Sequence, residues 1–186
     1  MRVTLASASP RRSALIKKIP NLEVTVKVSG ADESAVKASS PIELVKALAL
    51  LKAKAVAKDT DGVVIGADTV VAVDEKVLGK PRSAEEARAF FKMLCGRTHE
   101  VITGIAVVTE KKEIVDAEVS FVTFSEYDEE VIERYIESGS PFDKAGGYGI
   151  QDDLIRPIVK SVKGCTDNVI GLPVELLRRT IEEKLR

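Results

Sequence analysis

The chain has 186 residues, and because about 150 residues per domain is typical, we predict one domain over 1–186. Lys and Arg total 28 against 29 Asp and Glu, and only 4% of residues are aromatic, which argues against a nucleic-acid-binding protein. No apolar run reaches the roughly 18 residues of a membrane span, and the N-terminus lacks signal-peptide features. We therefore expect a cytoplasmic protein with neither nucleic acid nor membrane as a partner.

Hydrophobic periodicity predicts alternating strands and helices in the first part of the chain. Ser9 and Ser40 stand where helices begin, each followed by a proline that suits the first helical position. The predicted elements are a strand over 2–6, a helix over 10–19, a strand over 22–28, a helix over 41–58, and an apolar stretch over 63–73 that forms two short strands or one bent strand.

The second part of the chain adds a predicted hairpin to this alternation. The elements predicted there are a helix over 84–96 that Ser83 caps, strands over 99–109 and 113–124, a helix over 128–138, a Gly-rich loop over 143–149, a strand near 158–163 and a helix from Pro173. Because hairpins interrupt the alternation of helices and strands, we predict an α/β fold with a mixed sheet.

Two charged residues interrupt apolar patterns. Asp68 is the only charged residue within 63–73, where a carboxylate is costly unless it is paired, hydrogen-bonded or bound to metal. A turn between two strands is an equally good interpretation of Asp68 at this stage. Lys52 lies on the apolar stripe of the helix over 41–58, where it either extends to solvent or serves a site.

Other polar residues stand where predicted strands end. Ser7, Arg11 and Arg12 surround the start of the first helix, where backbone N–H groups and guanidinium donors suit a polyphosphate; an ordinary capped helix is the alternative. Lys80 adds a cation after a strand, or lies in a simple surface turn. Gln151, the only Gln in the chain, closes the Gly-rich stretch and could bind a base edge.

Several chemistries do not fit the sequence. No Walker A loop or dinucleotide-binding glycine pattern is present, and a single histidine, His99, permits no two-His metal motif. We expect His99 to be a structural hydrogen-bonding residue. Cys95 and Cys165 are expected to be buried free thiols, and a disulfide between them stays open. Glu33, in a predicted loop, adds a second carboxylate to Asp68, which together with the cations indicates a metal-dependent phosphate-ester or anhydride hydrolase.

Six segments of the chain, in order, resemble motifs of the Maf family. They are LASASPRR (5–12), GADTVV (66–71), GKP (79–81), GRTHEV (96–101), DKAGGYGIQ (143–151) and NVIGLP (168–173). The resemblance implies a nucleoside triphosphate pyrophosphatase that cleaves between the α- and β-phosphates. It also implies the fold of the inosine triphosphate pyrophosphatases, an elongated mixed β-sheet flanked by helices with a cleft between two lobes, and a homodimer.

The resemblance also implies roles for individual residues. The Asp of the GADT motif is the proton acceptor of this family, which here is Asp68. We expect Mg²⁺ or Mn²⁺ at Glu33 and Asp68. The residues expected to hold the nucleoside triphosphate substrate are Ser7, Arg11, Arg12, Lys52, Lys80, Thr69 and Gln151.

Three of these positions indicate the preferred substrate. Arg11, Thr69 and Gln151 match the family members that prefer dTTP and UTP, and we expect Thr69 and Gln151 to select the pyrimidine. Modified pyrimidine nucleotides are further expected substrates by the same resemblance. Two segments depart from the family pattern, Asp152–Asp153 after Gln151 and 165–167 before Asn168, and both could alter base selectivity.

Two other functions stay open from the sequence. One is a nucleotide-binding regulator of cell division that does not turn substrate over. The other is a phosphohydrolase with a different product or with 7-methyl-GTP or inosine triphosphate as substrate. House-cleaning of nucleotide pools and arrest of cell division are both compatible with the resemblance.

Overall fold

The computed structural model describes residues 1–184, which form seven strands and six α-helices. The strands are β1 (Arg2–Ala6), β2 (Glu23–Val26), β3 (Val63–Val73), β4 (Lys76–Leu78), β5 (Thr98–Val108), β6 (Glu113–Phe124) and β7 (Val159–Lys163). The helices are α1 (Pro10–Ile16), α2 (Pro41–Ala57), α3 (Ala84–Leu94), α4 (Glu129–Glu137), α5 (Thr166–Ile170) and α6 (Val174–Lys184). None of the helices within residues 1–184 combines the length and the hydropathy of a membrane-spanning segment.

The strands form one mixed sheet in the order β2-β1-β3-β5-β6-β7, and β4 pairs with β3. β1 lies parallel to both β2 and β3, whereas β4 is antiparallel to β3 and β7 is antiparallel to β6. The mixed α/β fold expected from the alternation and the hairpins is therefore confirmed.

Serine caps start three of the helices, as their sequence patterns predict. The side chains of Ser9, Ser40 and Ser83 each accept a hydrogen bond from the backbone N–H three residues later. Each cap satisfies one of the four N–H groups that a helix start leaves without an intrahelical partner. These caps place the starts of α1 and α2 at the predicted residues.

The end of the first helix differs from the expectation. α1 ends at Ile16 rather than 19, because the next bonds run from Lys18 to Leu15 and from Ile19 to Ile16, a tighter three-residue spacing. The following Pro20 disfavours helical backbone in the residue before it. By contrast, the stretch over 63–73 matches one of its two predicted forms, because β3 is a single strand of 11 residues that no turn divides.

The chain divides into two compact units. The first comprises Met1–Thr69, Thr103–Glu118 and the described residues 171–184. Its described core includes small and β-branched residues of β1, α2, β3 and β5, among them Ala6, Ala49, Ala53, Val64 and Ala106. The second comprises Val70–Ile102 and Val119–Ile170, with a core of larger side chains that includes Phe91, Leu94, Phe124, Ile132 and Tyr135.

Candidate active site

The first unit places several predicted site residues at the carboxyl end of β1. The chain leaves β1 for α1 and β2 on one side and returns through α2 to β3 on the other. Ala6 of β1 pairs with Gly66 of β3, so that Ser7 lies near the GADT segment. In open α/β sheets, ligands bind at such a switch point, outside the carboxyl ends of the strands. The topology therefore favours a ligand site here.

Lys52 of α2 binds both predicted carboxylates. Its Nζ lies 2.5 Å from Oδ1 of Asp68 and 3.1 Å from Oε1 of Glu33. The side chains of Lys52 and Asp68 are each only 12% exposed, whereas Glu33 is 46% exposed. Lys52 therefore does not extend to bulk solvent from the apolar stripe. Asp68 lies within β3 and not in a turn, which excludes the structural alternative considered for it.

Two glycines let α2 approach the sheet closely enough for this contact. A Cβ on Gly66 would lie 2.1 Å from the carbonyl oxygen of Ala49, and one on Gly104 would lie 2.4 Å from that of Val45. Alternation along β3 puts Asp68 on the same face as Gly66. The α2 backbone thus packs directly on the strand two residues before Asp68, within reach of Lys52.

Glu33 comes from the loop between β2 and α2. The loop is turned locally by Asp32, whose Oδ1 accepts hydrogen bonds from the backbone N–H and the hydroxyl of Ser34 at 3.0 and 2.7 Å. These hydrogen bonds lower the pKa of Asp32. Asp32 and Ser34 are the residues on either side of Glu33. Their hydrogen bonds therefore hold the backbone from which the Glu33 carboxylate reaches Lys52.

The carboxylates of Glu33 and Asp68 suit a divalent cation whose remaining ligands come from the phosphates of a substrate. Among residues 1–184, no group of three or more His, Cys, Asp or Glu side chains could hold a metal. Glu33 and Asp68 nevertheless share one ammonium group and supply the hard oxygen ligands that Mg²⁺ and Mn²⁺ prefer. Mg²⁺ is commonly bound through one or two carboxylates together with phosphates, and this pair meets that requirement.

Arg12 is held by two residues from different parts of the first unit. Its Nε donates to the carbonyl oxygen of Gly171 at 2.8 Å, and its Nη2 donates to Oγ1 of Thr69 at 2.9 Å. The Thr69 hydroxyl also lies 2.9 Å from Oγ1 of Thr103. Burial lowers the pKa of the Arg12 guanidinium and the nearby Asp68 raises it. The guanidinium still carries its charge at neutral pH, since arginine does not lose its proton in proteins.

Ser7 and Arg11 complete the predicted cluster at the start of α1. Ser7 is buried, and its Oγ accepts a hydrogen bond from the Ser9 backbone N–H at 3.1 Å. Arg11 occupies the first turn of the helix, next to Arg12, and is half-buried. The structure thus gathers Ser7, Arg11 and Arg12 around one helix start.

Lys80 and Gln151 belong to the second unit. Lys80 is exposed in the loop after β4, and Gln151 is exposed in the segment after the Gly-rich stretch. The predicted Gly-rich loop over 143–149 contains one short 3₁₀ helix, Ala145–Gly147, and follows another, Ser140–Asp143. The substrate-binding roles of Lys80 and Gln151 stay predictions.

Sequence reasoning missed Thr103 and Gly171. Thr103 is fully buried in β5, and the part of Gly171 that contacts Arg12 is its backbone carbonyl. A threonine in a β-strand is ordinary, and a carbonyl is present in every residue, so neither gives a pattern to detect. Gly104, next to Thr103, was the available signal, because glycine inside a strand often marks close approach of another backbone.

His99 has surroundings that suit a structural residue. It is 2% exposed, its Nε2 lies 2.6 Å from the Tyr148 hydroxyl, and its ring packs edge-on against Phe124 and Tyr148. All three belong to the second unit. Burial lowers the pKa of His99 to about 4. The expected structural hydrogen bond is therefore present.

The buried His99 should make the protein less stable in mild acid. Unfolded histidine has a pKa near 6.5, so between about pH 6.5 and 4 the unfolded chain binds a proton that the folded chain does not. Stability then falls with pH, by about 2 kcal/mol at pH 5 from this group. Urea unfolding at pH 7 and at pH 5 gives the loss of stability on acidification. This loss should be smaller for His99→Gln than for the wild type, and equal losses would contradict the prediction.

The two cysteines are free, and they differ from the expectation in their exposure. Cys95 and Cys165 are partly exposed rather than buried. Burial raises the pKa of Cys95 to about 11, with Glu126 adding to the shift, which disfavours the reactive thiolate at neutral pH. Cys165 packs at the start of α5, where its Sγ accepts from the Asn168 N–H. Neither thiol belongs to the candidate site.

Comparison with known proteins finds one family across the chain. Residues 2–184 match the family described as Maf-like protein. The dTTP/UTP pyrophosphatase of Symbiobacterium thermophilum is 44% identical over 182 residues, which are 97% of this chain and 91% of that protein. The dTTP/UTP pyrophosphatase of Carboxydothermus hydrogenoformans is 46% identical over 186 residues, or 98% of both chains.

Solved structures share the fold at low sequence identity. The Ham1 protein of Staphylococcus aureus superposes with a TM-score of 0.60, at 17% identity, over 99% of this chain and 100% of that one. A HAM1 protein from Coxiella burnetii gives a TM-score of 0.58 at 15% identity, over 98% and 99%. These likenesses support the α/β fold.

Proposed function

The chain belongs to the family of Maf-like proteins, and we propose that it hydrolyses dTTP and UTP to the nucleoside monophosphate and pyrophosphate. The observation that carries the proposal is the nearly buried Asp68 carboxylate, with Lys52 on one oxygen and with the Arg12 guanidinium bound to the next residue, Thr69. Relatives named dTTP/UTP pyrophosphatase, 44% and 46% identical along nearly the whole chain, support the substrate class.

Asp68 is the residue that we assign to the attacking water. A water oxygen forms a bond to the α-phosphorus, the bond from that phosphorus to the bridging oxygen breaks, and pyrophosphate leaves. The water gives one proton to the Asp68 carboxylate. Lys52 occupies Oδ1, and no other hydrogen bond or ion pair within residues 1–184 engages the carboxylate, so Oδ2 is the atom that we assign to the water.

The cations of the first unit match the charge of a triphosphate. Arg12 and Lys52 lie on opposite sides of the GADT segment, because consecutive residues of a strand point to opposite faces. Lys52 contacts Asp68, and Arg12 contacts Thr69. Positively charged side chains that are already oriented, such as Arg12 and Lys52, stabilise the negative charge that the departing pyrophosphate gains. Arg11 and the N–H groups at the start of α1 add to the same positive region.

Glu33 and Asp68 are the residues that would hold a divalent cation together with the phosphates. When bound, Mg²⁺ or Mn²⁺ would supply charge neutralisation for the phosphate oxygens. Lys52 contacts both carboxylates, so it also limits their separation and orients them toward one point. These assignments rest on the chemistry of the ligands and on the shared ammonium group.

Product analysis tests the function directly. Purified protein is incubated with dTTP, UTP, CTP, inosine triphosphate or 7-methyl-GTP, with Mg²⁺, with Mn²⁺, or with EDTA. We expect monophosphate and pyrophosphate from dTTP and UTP, little turnover of the others, and none with EDTA. Release of orthophosphate would contradict the reaction. Preference for 7-methyl-GTP would contradict the substrate assignment but keep the reaction, and saturable dTTP binding without product would indicate a regulator.

Three further expectations stay predictions. They are the cytoplasmic location, expected from the sequence composition and the N-terminus, and the homodimer and base selection by Gln151, which the family resemblance implies. The substrate panel tests the last of them when it is repeated with Gln151→Ala.

A further inference from the structure

We propose that Thr103 is a positioning residue for phosphate binding: through the Thr69 hydroxyl it holds the Arg12 guanidinium in one orientation. The inference rests on the proposed function, in which Arg12 contacts the substrate phosphates. Thr103 itself does not touch substrate. The same geometry gives Thr69 a role in holding Arg12, in addition to the pyrimidine selection expected from the sequence.

The Thr69 hydroxyl makes hydrogen bonds with both Arg12 and Thr103. Arginine has donors only, so the Thr69 hydroxyl must accept from Nη2 of Arg12 at 2.9 Å. Thr69 has a single hydroxyl hydrogen, and its neighbouring oxygens are Oγ1 of Thr103 at 2.9 Å and the Gly171 carbonyl at 3.4 Å. The Thr103 contact has an ordinary hydrogen-bond length and the Gly171 contact is long. Thr103 therefore fixes the orientation of the Thr69 hydroxyl.

Thr103 is suited to act as a rigid anchor. It is fully buried, whereas Thr69 and Arg12 are partly exposed. Its β-branched side chain has restricted rotation about χ1. The adjacent Gly104 packs against the α2 backbone at Val45, which leaves the β5 backbone little room to shift. The three hydrogen-bonded side chains are thus ordered by exposure. Thr103 is buried, and Thr69 connects it to the partly exposed Arg12.

The result is a guanidinium held along one edge. Nε donates to Gly171 and one hydrogen of Nη2 to Thr69. The described part of the chain has no further acceptor for Nη1 or for the second hydrogen of Nη2, so these N–H groups remain for a ligand. An arginine fork that is already oriented loses less conformational freedom when it binds a phosphate than one that must be ordered. Removal of the Thr103 hydroxyl should therefore weaken phosphate binding.

Threonine-to-valine substitutions test this inference with a matched control. Thr103→Val keeps the shape and removes the hydroxyl, and we expect about tenfold weaker binding of inorganic pyrophosphate by calorimetry and about tenfold higher KM for dTTP. We expect kcat to change much less. Thr103→Ser restores the hydroxyl and should restore binding. Thr180→Val is the control, because Thr180 carries a buried hydroxyl of α6 whose one hydrogen bond within residues 1–184 goes to the Leu176 carbonyl.

A double-mutant cycle identifies the route of the effect. If Thr103 acts through Arg12, Thr103→Val should add little to Arg12→Lys, which lacks the planar fork. If Thr103→Val weakens pyrophosphate binding as much in the Arg12→Lys background as it does in the wild type, the inference is overturned. So would equal pyrophosphate binding by Thr103→Val and Thr180→Val.

The pyrophosphate titration separates this inference from the proposed function. If the wild-type protein releases no pyrophosphate from dTTP, the proposed function fails, and the binding difference between Thr103→Val and Thr103→Ser still decides the role of Thr103. If the wild-type protein cleaves dTTP and Thr103→Val binds pyrophosphate as the wild type does, the function stands and the inference is wrong. Absence of pyrophosphate binding by the wild-type protein also overturns the inference.

Discussion

Asp68→Asn should reduce kcat for dTTP by roughly 10²–10⁴-fold and leave the protein folded and able to bind dTTP. Asparagine has the size of aspartate and keeps an oxygen for Lys52, whose charge is still balanced by Glu33 at 3.1 Å. It cannot accept the proton of the attacking water as a carboxylate does. Turnover is measured as pyrophosphate release with Mg²⁺ or Mn²⁺, and binding is measured by calorimetry with dTTP in EDTA.

A second lysine–carboxylate pair of the first unit provides the control. Lys54 of α2 lies 2.7 Å from Glu113, and both side chains are about half exposed. Glu113→Gln also removes one negative charge beside a lysine of the same helix, and a surface pair contributes little to stability. It should leave kcat unchanged. Turnover by Asp68→Asn within a few-fold of wild type would remove Asp68 from its assigned role.

Local signals predicted the elements that local interactions form. Ser9, Ser40 and Ser83 cap helices through bonds to residues three positions away, so the sequence near each serine contains the whole interaction. The hairpin of β3 and β4 was missed because Asp74 and Glu75 both adopt positive φ without the Asn-Gly or Asp-Gly signal of such turns.

Helix α5 shows how tertiary contacts override a weak local pattern. It has five residues, too few to be stable alone, and it was not predicted. The Nδ2 group of Asn168 donates to the carbonyl oxygen of Val101 and to Oγ of Ser120, at 3.0 and 2.9 Å. These partners lie more than 45 residues away in the chain, so no local window contains them.

In the candidate site, too, the sequence predicts individual residues but not the contacts between them. Asp68 and Lys52 could be predicted because a charge in an apolar pattern has a cost that a partner must offset. The sequence does not show that each is the other's partner, because their contact depends on how α2 packs on β3. Arg12 was predicted from its place at a helix start, whereas its contacts with Thr69 and Gly171 depend on residues 57 and 159 positions away. Pattern finds the charged residues, and packing decides what each one touches.

Gly66→Ala should destabilise the protein by about 3 kcal/mol or more, because the added Cβ meets the backbone of α2. It would lie 2.1 Å from the Ala49 carbonyl oxygen and 2.9 Å from the Ala53 amide nitrogen. Neither atom can rotate away as the end of a side chain can, so α2 must move as a whole. That movement separates Lys52 from Asp68, and the folded variant should also have lower kcat. Urea unfolding and pyrophosphate release measure the two effects.

Gly79→Ala is the matched control for this prediction. Among the described residues other than Gly79 and its two chain neighbours, no atom would lie within 4 Å of a Cβ at Gly79. Its φ also lies outside the range that side chains avoid, so stability should change by less than about 0.5 kcal/mol. Wild-type stability in Gly66→Ala would show that α2 does not pack on β3 at this distance. Because the contact between Lys52 and Asp68 depends on that packing, the same result would also remove the structural basis for pairing them in the site.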